Sequence, residues 1–347
     1  MLKYSIKRIL LAFITAFIIL SLTFFLVKSL GVQRSLSPTP SVNYAYYDDL
    51  ANLGYVIDSP VERLDLGNVP LYKYSELNGV THYFYEKPVF AQYIEWLKNI
   101  VTKWDWGRSN SIDPNVPAMK IILEKLPVSF SVNIISVILS VPLGIMFGII
   151  AGLKKNSWLD HTISTLVMVF ISIPSFVVII FLVYFFAFKG SLPTIWPTKD
   201  AALSKRILGF VIPVISLSFG SICGYTRFVR AELCEVMSSE YLLLARTKGL
   251  TKNQAITRHA LRNAFVPILP SILAEFIGVF SGSLILESIY DIPGIGRLYI
   301  TALNQKDYDV LLVDMAVFTI VGLLAGIVLD LSYGFIDPRI RMGEKNG

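Results

Sequence analysis

Charged residues are scarce in this sequence of 347 residues. Asp, Glu, Lys and Arg make up 16% of it, whereas apolar residues make up 54%. Soluble domains usually contain about 25% charged residues. The scarcity of charge therefore excludes an ordinary water-soluble enzyme and indicates a protein of the lipid bilayer. It also argues against a disordered chain, because such chains are poor in aromatic residues, which reach 13% here.

Residues that bind metals or act as nucleophiles are also few. The two cysteines, Cys223 and Cys234, lie in one apolar segment and lack the CxxC spacing of a metal site. No histidine belongs to an HExxH pattern, and the sequence lacks the GxxxxGK[ST] phosphate loop and the GxSxG nucleophile motif. These absences favour transport over catalysis. We expect no catalytic residue, no cofactor, no metal and no nucleic acid.

Long apolar segments dominate what is present. Each is long enough to cross about 30 Å of hydrocarbon as a helix that rises 1.5 Å per residue. The first is too long for a signal peptide and lacks a small-residue cleavage site, so we predict that it is retained. The sequence therefore predicts an all-α membrane protein with six transmembrane helices. The segments lie near 6–30, 126–153, 163–188, 208–229, 266–287 and 310–335.

The distribution of positive charge predicts the orientation. Lys and Arg cluster before the first segment, in the loops at 154–160 and 230–262, and after the last segment. With six spans these regions share one side, which the positive-inside rule makes cytoplasmic. Lys and Arg in the 189–206 loop weaken this signal without reversing it. We therefore expect both termini in the cytoplasm, and the net charge of +6 fits this pattern.

The predicted organisation follows from these spans. A first helix covers 1–30, an extracellular loop or cap covers 31–120, a five-helix core covers 121–337 and a tail covers 338–347. A cytoplasmic loop occupies 238–263 within the core.

In the second half of the cap, apolar residues recur at helical spacing. An interfacial helix with an aromatic belt is the favoured interpretation, and a direct ligand role is the alternative. The residues predicted to share this face are Tyr93, Trp96, Leu97, Ile100 and Val101.

Small residues recur at four-residue spacing in the apolar segments. Such spacing lets helix backbones approach closely. Packing within the six-helix bundle is the favoured interpretation for most of them, and a dimer interface is the alternative. The spaced glycines are Gly144, Gly148, Gly152, Gly220, Gly224, Gly278, Gly282, Gly322 and Gly326.

The most informative segment is the loop before the fifth span. Two short helices are predicted around Gly249, because glycine can end a helix at positive φ and Thr251 with Gln254 forms a capping-box pattern. An amphipathic helix pair of this kind suits docking into a groove of a soluble partner, and a solvated basic loop is the alternative. The residues that share one face of the first helix are Tyr241, Leu244, Ala245 and Lys248.

This segment resembles the EAA loop of ABC importer permeases. Ala245 and Gly249 match the core of that motif, whereas Leu243 and Leu244 replace its leading Glu and first Ala. The stretches 287–298 and 337–341, among others, are similar to the B-type membrane subunit of the peptide-transport branch. The resemblance covers nearly the whole chain except about 34–90. It implies the type I ABC importer permease architecture, with an extracellular insertion between helices 1 and 2.

The resemblance implies a subunit of an ATP-driven peptide importer in a bacterial plasma membrane. Its implied partners are a second homologous permease, two cytoplasmic ABC ATPases and an extracytoplasmic peptide-binding protein, besides the peptide and the lipid bilayer. ATP hydrolysis is expected on the ATPases, so the chain itself is not an enzyme. A permease for nickel, haem or a glycosyl solute is the nearest alternative, and a membrane receptor or sensor is the alternative from another class. The candidate ATPase-coupling residues are Glu240, Tyr241, Leu244, Ala245, Lys248, Gly249 and Arg258.

Glu275 is the leading candidate for the translocation path. It lies about ten residues into the fifth span, roughly 14 Å deep. A carboxylate at that depth usually faces a bundle interior or a watery cavity, where it can accept from a peptide ammonium or amide. A protonated Glu that is hydrogen-bonded to a neighbouring helix is the alternative. Ser281 and Glu287 complete the candidate path, and the candidate outer gate loop contains Pro293, Gly294, Gly296 and Arg297.

Overall fold

A computed structural model of the chain describes residues 2–29, 38–62, 70–76 and 79–336. These residues form two compact units. The helical unit contains the described residues of 1–10, 128–293 and 321–347, and the mixed unit contains those of 11–127 and 294–320. The units do not follow the linear division at residues 30 and 120 that the sequence predicts, because three long helices contribute residues to both.

The first part of the chain is a long apolar helix followed by short helices and strands. Almost none of the first helix is buried within the chain, as expected for a helix that faces lipid. In chain order the elements are α1 (Leu2–Lys28), α2 (Pro40–Asn52), β1 (Val56–Ser59), β2 (Tyr72–Ser75), β3 (Thr81–Glu86) and α3 (Val89–Lys103).

The rest of the described chain is helical. Short π-helical segments follow α6 (Val183–Phe188) and α10 (Ile256–Ala260), and a 3₁₀ turn follows α12 (Val279–Ser281). The α-helices are α4 (Ala118–Leu153), α5 (Trp158–Ile171), α6 (Ser175–Leu182), α7 (Leu203–Gly209), α8 (Val211–Met237), α9 (Glu240–Thr247), α10 (Lys252–Ala255), α11 (Leu261–Phe265), α12 (Ile268–Gly278), α13 (Leu284–Ile289), α14 (Ile295–Gln305) and α15 (Tyr308–Ile336).

Among the described residues, five helical stretches are long and apolar enough to cross a membrane. The span predicted near 163–188 is broken by a bend. The segment bends by 96° between α5 and α6, so it forms a sixth span only if the bent pair counts as one. Pro174 explains the break, because proline disfavours helical geometry in the residue before it. The five stretches are Ser5–Lys28, Ala118–Leu153, Leu203–Met237, Ile268–Ile289 and Tyr308–Ser332.

The mixed unit contains a three-stranded antiparallel sheet that the sequence analysis does not predict. The strand order is β1-β3-β2, with Val56 paired to Glu86 and Tyr72 paired to Phe84. Two of the strands have only four residues, and β1 shows no simple alternation of buried and exposed positions, so the usual sequence signal is short or absent. The buried aromatic residues of this unit include Phe24, Tyr47, Phe84, Tyr93, Trp96 and Trp106.

Asp307 fastens the loop after α3 to the start of α15. Its carboxylate is fully buried, and Oδ2 accepts a hydrogen bond of 2.5 Å from the hydroxyl of Ser109. The same oxygen accepts from the backbone N–H groups of Asn110, Ser111 and Ile112 at 3.0–3.2 Å. A buried carboxylate needs such donors to replace its hydration. The contact therefore fixes the chain where α15 begins.

The predicted apolar face of α3 is correct only in part. Tyr93 and Trp96 are buried, and Leu97 and Ile100 are half-buried against the same core. Val101 is 82% exposed, so its assignment to that face is wrong. At 3.6 residues per turn, Val101 points about 140° away from Trp96.

Glycines of α4 let this helix touch α8. A Cβ on Gly144 or Gly148 would lie 2.6 Å from the Cβ of Tyr225 or Val229. The prediction of packing within the chain is therefore confirmed for the α4 glycines. It is wrong for Gly220, Gly224, Gly278, Gly322 and Gly326, because a Cβ on each would meet nothing within 4 Å.

We predict that Gly148→Ala destabilises the chain and that Gly220→Ala does not. Both changes add a methyl group inside a helix and raise helix propensity by about 1 kcal/mol. At position 148 the methyl group would also lie 2.9 Å from the carbonyl oxygen of Thr226, whereas position 220 is open. Overpacking of this kind costs about 1–3 kcal/mol. Thermal unfolding of the two purified variants in detergent measures the difference, and equal midpoints would contradict the packing argument.

Candidate translocation cavity and coupling segment

The coupling segment, defined here as residues 239–265, joins α8 to α12. The predicted pair of helices around Gly249 is confirmed. Gly249 has φ of +93°, and its N–H donates to the carbonyl of Arg246 at 3.0 Å. The predicted capping box is also confirmed, because the side chains and backbone N–H groups of Thr251 and Gln254 bond reciprocally at 3.1 and 3.3 Å. Local chemistry therefore sets this turn.

Helix α9 buries Leu242 and leaves Tyr241 and Leu244 of the predicted docking face exposed. Leu242 is 4% exposed, whereas Tyr241, Leu243 and Leu244 are 42%, 63% and 55% exposed. Leu242 packs in a cluster with Leu233 near the end of α8 and with alanines of the following helices. Helix α9 thus has one apolar side that packs within its own unit and another apolar side that is exposed.

The other candidate coupling residues lie on the same segment. Ala245 is half-buried, and its carbonyl accepts from the N–H of Leu250 at 3.4 Å. The exposed ones are Glu240, Lys248, Gly249 and Arg258. Their exposure leaves these side chains available to a second molecule.

A cavity of about 220 Å³ lies among α4, α8 and α12 in the helical unit. Glu275 supplies the carboxylate of its lining. The remaining lining residues are small, amide or apolar, and among the described residues no three His, Cys, Asp or Glu side chains are placed to hold a metal ion. The lining consists of Asn133, Ser136, Val137, Ser140, Leu217, Ser221, Glu275, Gly278 and Val279.

Asn133 and Glu275 of the cavity lining interact with other groups of the bundle. The side chain of Tyr225, which is buried, lies next to the carboxylate of Glu275. The amide of Asn133 donates to the carbonyl oxygen of Val279 at 2.9 Å. This carbonyl lies in the 3₁₀ turn after α12, so the bond ties α4 to the point where the regular helix stops.

Sequence analysis missed the polar lining contributed by α4, although a signal for it exists. Asn133, Ser136 and Ser140 follow Ser129 at spacings of four, three and four residues, which places them on one helical face. Apart from Ser131 the same stretch is otherwise apolar, so the four-three-four spacing is visible in the sequence.

The structure does not bring Ser281 and Glu287 to the cavity lining. The helix stops at Ser281, and Gly282 follows with φ of +63°. Glu287 is 3% exposed, and its Oε1 accepts from the hydroxyl of Ser129 at 2.8 Å and from the N–H of Ser283 at 3.2 Å. This carboxylate thus joins α13 to α4.

The candidate outer gate residues follow a tight turn after α13. Asp291 has φ of +59°, and Tyr290 donates its hydroxyl to the carbonyl of Pro193 at 2.7 Å. Burial raises the pKa of Tyr290 to about 12, so the phenol stays protonated near neutral pH. Pro293 is half-buried in the helical unit. In the mixed unit Gly294 and Gly296 are buried, and Arg297 is half-buried at the start of α14.

An ion pair joins the start of α5 to α8. Arg230 donates to both oxygens of Asp160 at 2.5 and 2.9 Å. Asp160 is fully buried, and it also accepts from the N–H of Asn156 and the hydroxyl of Ser164. Sequence analysis did not identify this pair, because the two residues lie 70 positions apart.

Comparison with known proteins identifies the class. The family model of the binding-protein-dependent transport system inner membrane component matches residues 144–342. The dipeptide transport system permease protein DppB of Lactococcus lactis is 30% identical over 99% of this chain and 100% of that protein. The oligopeptide transport system permease protein OppB of Escherichia coli K12 is 29% identical over 98% of this chain and 100% of that protein.

A solved structure shares the fold. A chain of the inward-facing MetNI methionine ABC transporter aligns with a TM-score of 0.50 and 16% identity, covering 63% of this chain and 97% of that chain. The fold and the coupling segment thus define a membrane-spanning permease subunit of an ABC importer, and the predicted type I architecture is confirmed. The chain belongs to the family of binding-protein-dependent transport system inner membrane components.

We predict that removing Arg230 alone is worse than removing both partners of its ion pair. Arg230→Met leaves the buried carboxylate of Asp160 without its cation, which costs about 1–3 kcal/mol. Adding Asp160→Asn removes that charge and should restore part of the stability. Thermal unfolding of the wild type, both single variants and the double variant gives the coupling. Additive losses would show that the pair contributes nothing specific.

Proposed function

We propose that this chain is a membrane subunit of an ATP-driven peptide importer with both termini in the cytoplasm. Two sets of relatives are named for dipeptide and oligopeptide transport, and they match nearly the whole chain. The proposed assembly contains a second homologous permease, two cytoplasmic ATPases that hydrolyse ATP, and an extracytoplasmic peptide-binding protein. The chain forms half of the peptide path.

The exposed apolar side of α9 is the observation that carries the coupling role. Tyr241, Leu243 and Leu244 present apolar surface on a short helix held between two spans. An amphipathic helix of this kind binds in a groove of a partner. On its inner side Leu242 packs with Leu233, so a displacement of α9 is passed to α8. We assign the groove to the ATPase.

Glu275 is our candidate for contact with the peptide. It lies in a cavity whose other polar groups are hydroxyls and an amide. Such a lining accepts many backbone amides without selecting side chains. A single carboxylate among them favours the ammonium group that every free peptide carries at its N-terminus.

The mixed unit offers a surface for the binding protein. Tyr44 stacks on Tyr74 with 4.4 Å between ring centroids, and Nδ1 of His82 lies 2.8 Å from the carboxylate of Asp58. Tyrosines beside polar groups are typical of wet protein interfaces. We therefore assign the face of α2 and the sheet to binding-protein docking.

We predict that Gly249→Val uncouples transport. A β-branched residue at φ of +93° is strained by about 1–2 kcal/mol, and its Cβ would meet no atom within 4 Å, so we expect the change to act through the turn. ATP hydrolysis should continue while peptide uptake falls, and both are measured in proteoliposomes.

Gly79→Val is the matched control for that experiment. Gly79 has φ of +88° and equally open surroundings, but it lies in the mixed unit. The variant Gly79→Val should leave the ratio of peptide uptake to ATP hydrolysis unchanged. Wild-type uptake in Gly249→Val would refute the coupling role of the turn.

We predict that Glu275→Gln weakens transport of free-amine peptides by roughly tenfold and leaves N-acetylated peptides nearly unaffected. A hydrogen bond to a charged group is worth about 1.5–3 kcal/mol, and the amide cannot supply the charge. Competition with labelled peptides measures both substrates. Glu235→Gln, an exposed position outside the cavity, is the control. An equal loss for both substrates would assign Glu275 to helix packing instead.

A further inference from the structure

Helix α3 has an exposed apolar side that borders its buried apolar side on one flank and a polar sector on the other. Its first apolar side contains Tyr93 and Trp96 and packs inside the mixed unit. Its second apolar side is exposed to 65% at Phe90, 48% at Ile94 and 82% at Val101, and it continues into Trp104, which is 67% exposed. Spacings of four and seven residues place the first three side chains on one helical stripe, and Trp104 follows them just past the end of the helix. We call these four residues the outer stripe.

The third sector of α3 is polar. Glu95 and Lys98 form an ion pair at 3.3 Å, and Thr102 follows one turn later. On a helical projection this sector lies between the outer stripe and the part of the helix that is buried in the unit. A helix that was merely solvated on its free side would carry polar residues over the whole of that side. The outer stripe therefore needs an apolar environment.

Contacts with α1 fix the level at which α3 lies. The hydroxyls of Ser21 and Tyr93 are 2.6 Å apart, and the ring of Phe24 lies 4.9 Å from that of Trp96. The apolar stretch of α1 that can span the membrane runs from Ser5 to Lys28. Its 24 residues are about 36 Å long, slightly more than the hydrocarbon thickness of about 30 Å. Ser21 and Phe24 thus lie at the hydrocarbon boundary at the Lys28 end.

Apolar side chains of α1 near its contacts with α3 are also exposed. Leu22 and Leu26 of α1 are 65% and 68% exposed within the same unit. They occupy the same turns of α1 that contact α3. Apolar side chains at this depth meet acyl chains, whereas the headgroup region accommodates the Lys and Glu of an interfacial helix.

Trp104 supplies an independent argument. It occupies the residue after the last turn of α3 with φ of +55° and ψ of +31°. Glycine is the usual residue at such a position, because a Cβ is disfavoured in the left-handed conformation. Its ring packs edge-on against Trp106 with 5.6 Å between the centroids. The residue is still 67% exposed, so neither this contact nor the helix end explains the exposed surface of the ring. Tryptophan is enriched where a membrane meets water.

We propose that α3 is an interfacial membrane helix whose outer stripe is immersed in bilayer lipid. Phe90, Ile94 and Val101 contact acyl chains, and Trp104 anchors the end of the helix at headgroup level. The ion pair of Glu95 and Lys98 faces water. The bilayer thereby holds the mixed unit at a fixed height. This inference is independent of the transported substrate and of the ATPase contact.

Fluorescence quenching tests the proposal in the assembled transporter. A chain with Cys223→Ala and Cys234→Ala receives Val101→Cys or the matched control Lys98→Cys, and each is labelled with a nitrobenzoxadiazole probe in lipid nanodiscs. The probe at 101 should be quenched severalfold more strongly by doxyl-labelled lipid than the probe at 98, which should respond to aqueous iodide. Equal lipid quenching at the two positions would overturn the proposal.

Photocrosslinking gives the same comparison without changing the cysteines. The variant Val101→benzoylphenylalanine should form lipid adducts detectable by mass spectrometry, and Lys98→benzoylphenylalanine should form few. Adducts at 101 with the binding protein or with another permease subunit, and no lipid adducts, would overturn the proposal in favour of a protein occupant. Trp104→Phe should preserve the lipid signal at 101, whereas Trp104→Gly, which relieves the backbone strain, should reduce it. An unchanged signal in Trp104→Gly would refute the anchoring role.

Discussion

The close approach of α4 and α8 is the constraint on which the helical unit depends. In lipid, apolar surface alone gives little drive for helices to associate, so backbone proximity and interhelical hydrogen bonds must hold them. Here the glycines of α4 remove the side chains that would keep the helices apart. Three hydrogen bonds join α8 to α4 along their length, and in each the two residues lie 82 positions apart in the sequence. Because this separation is constant, the two helices run in the same direction. The pairs are Ser218 with Ser136, Thr226 with Gly144, and Cys234 with Gly152.

Helix α8, which forms this contact with α4, connects the cavity to the coupling segment. Serines of α4 and Ser221 of α8 line the cavity, and Leu233 near the end of α8 packs with Leu242 of α9. Twelve residues separate the two points on α8, about 18 Å of continuous helix. The ion pair of Asp160 and Arg230 also joins α5 to α8. The proposed transmission from ATPase to cavity requires that these joined helices move as one body.

The mixed unit is organised around two aspartates at the start of α15. Asp307 accepts backbone N–H groups of the loop at 109–112, and Asp309 accepts from Lys28 at 2.7 Å. Gly107 must lack a side chain, because a Cβ there would lie 2.7 Å from the carboxylate of Asp309. Negative charge at a helix N-terminus is stabilised by the helix dipole. Asp307 therefore holds the loop at 109–112, and Asp309 holds α1. Both also place negative charge at the start of α15.

The sequence by itself determined the features that depend on residues close together along the chain. Apolar runs gave the spans, Gly249 and the pair of Thr251 and Gln254 gave the coupling turn, and the spacing of Tyr93 and Trp96 gave one side of α3. Only the tertiary structure decided which of several apolar residues is buried, as with Leu242 among its neighbours, and which glycines meet another helix. It also decided the three-stranded sheet and the set of hydrogen-bond donors around Asp307. Oδ2 of this residue accepts from the hydroxyl of Ser109, which lies 198 positions away in the sequence. Such contacts have no local signal, because their energy arises only when distant segments exclude water or lipid from each other.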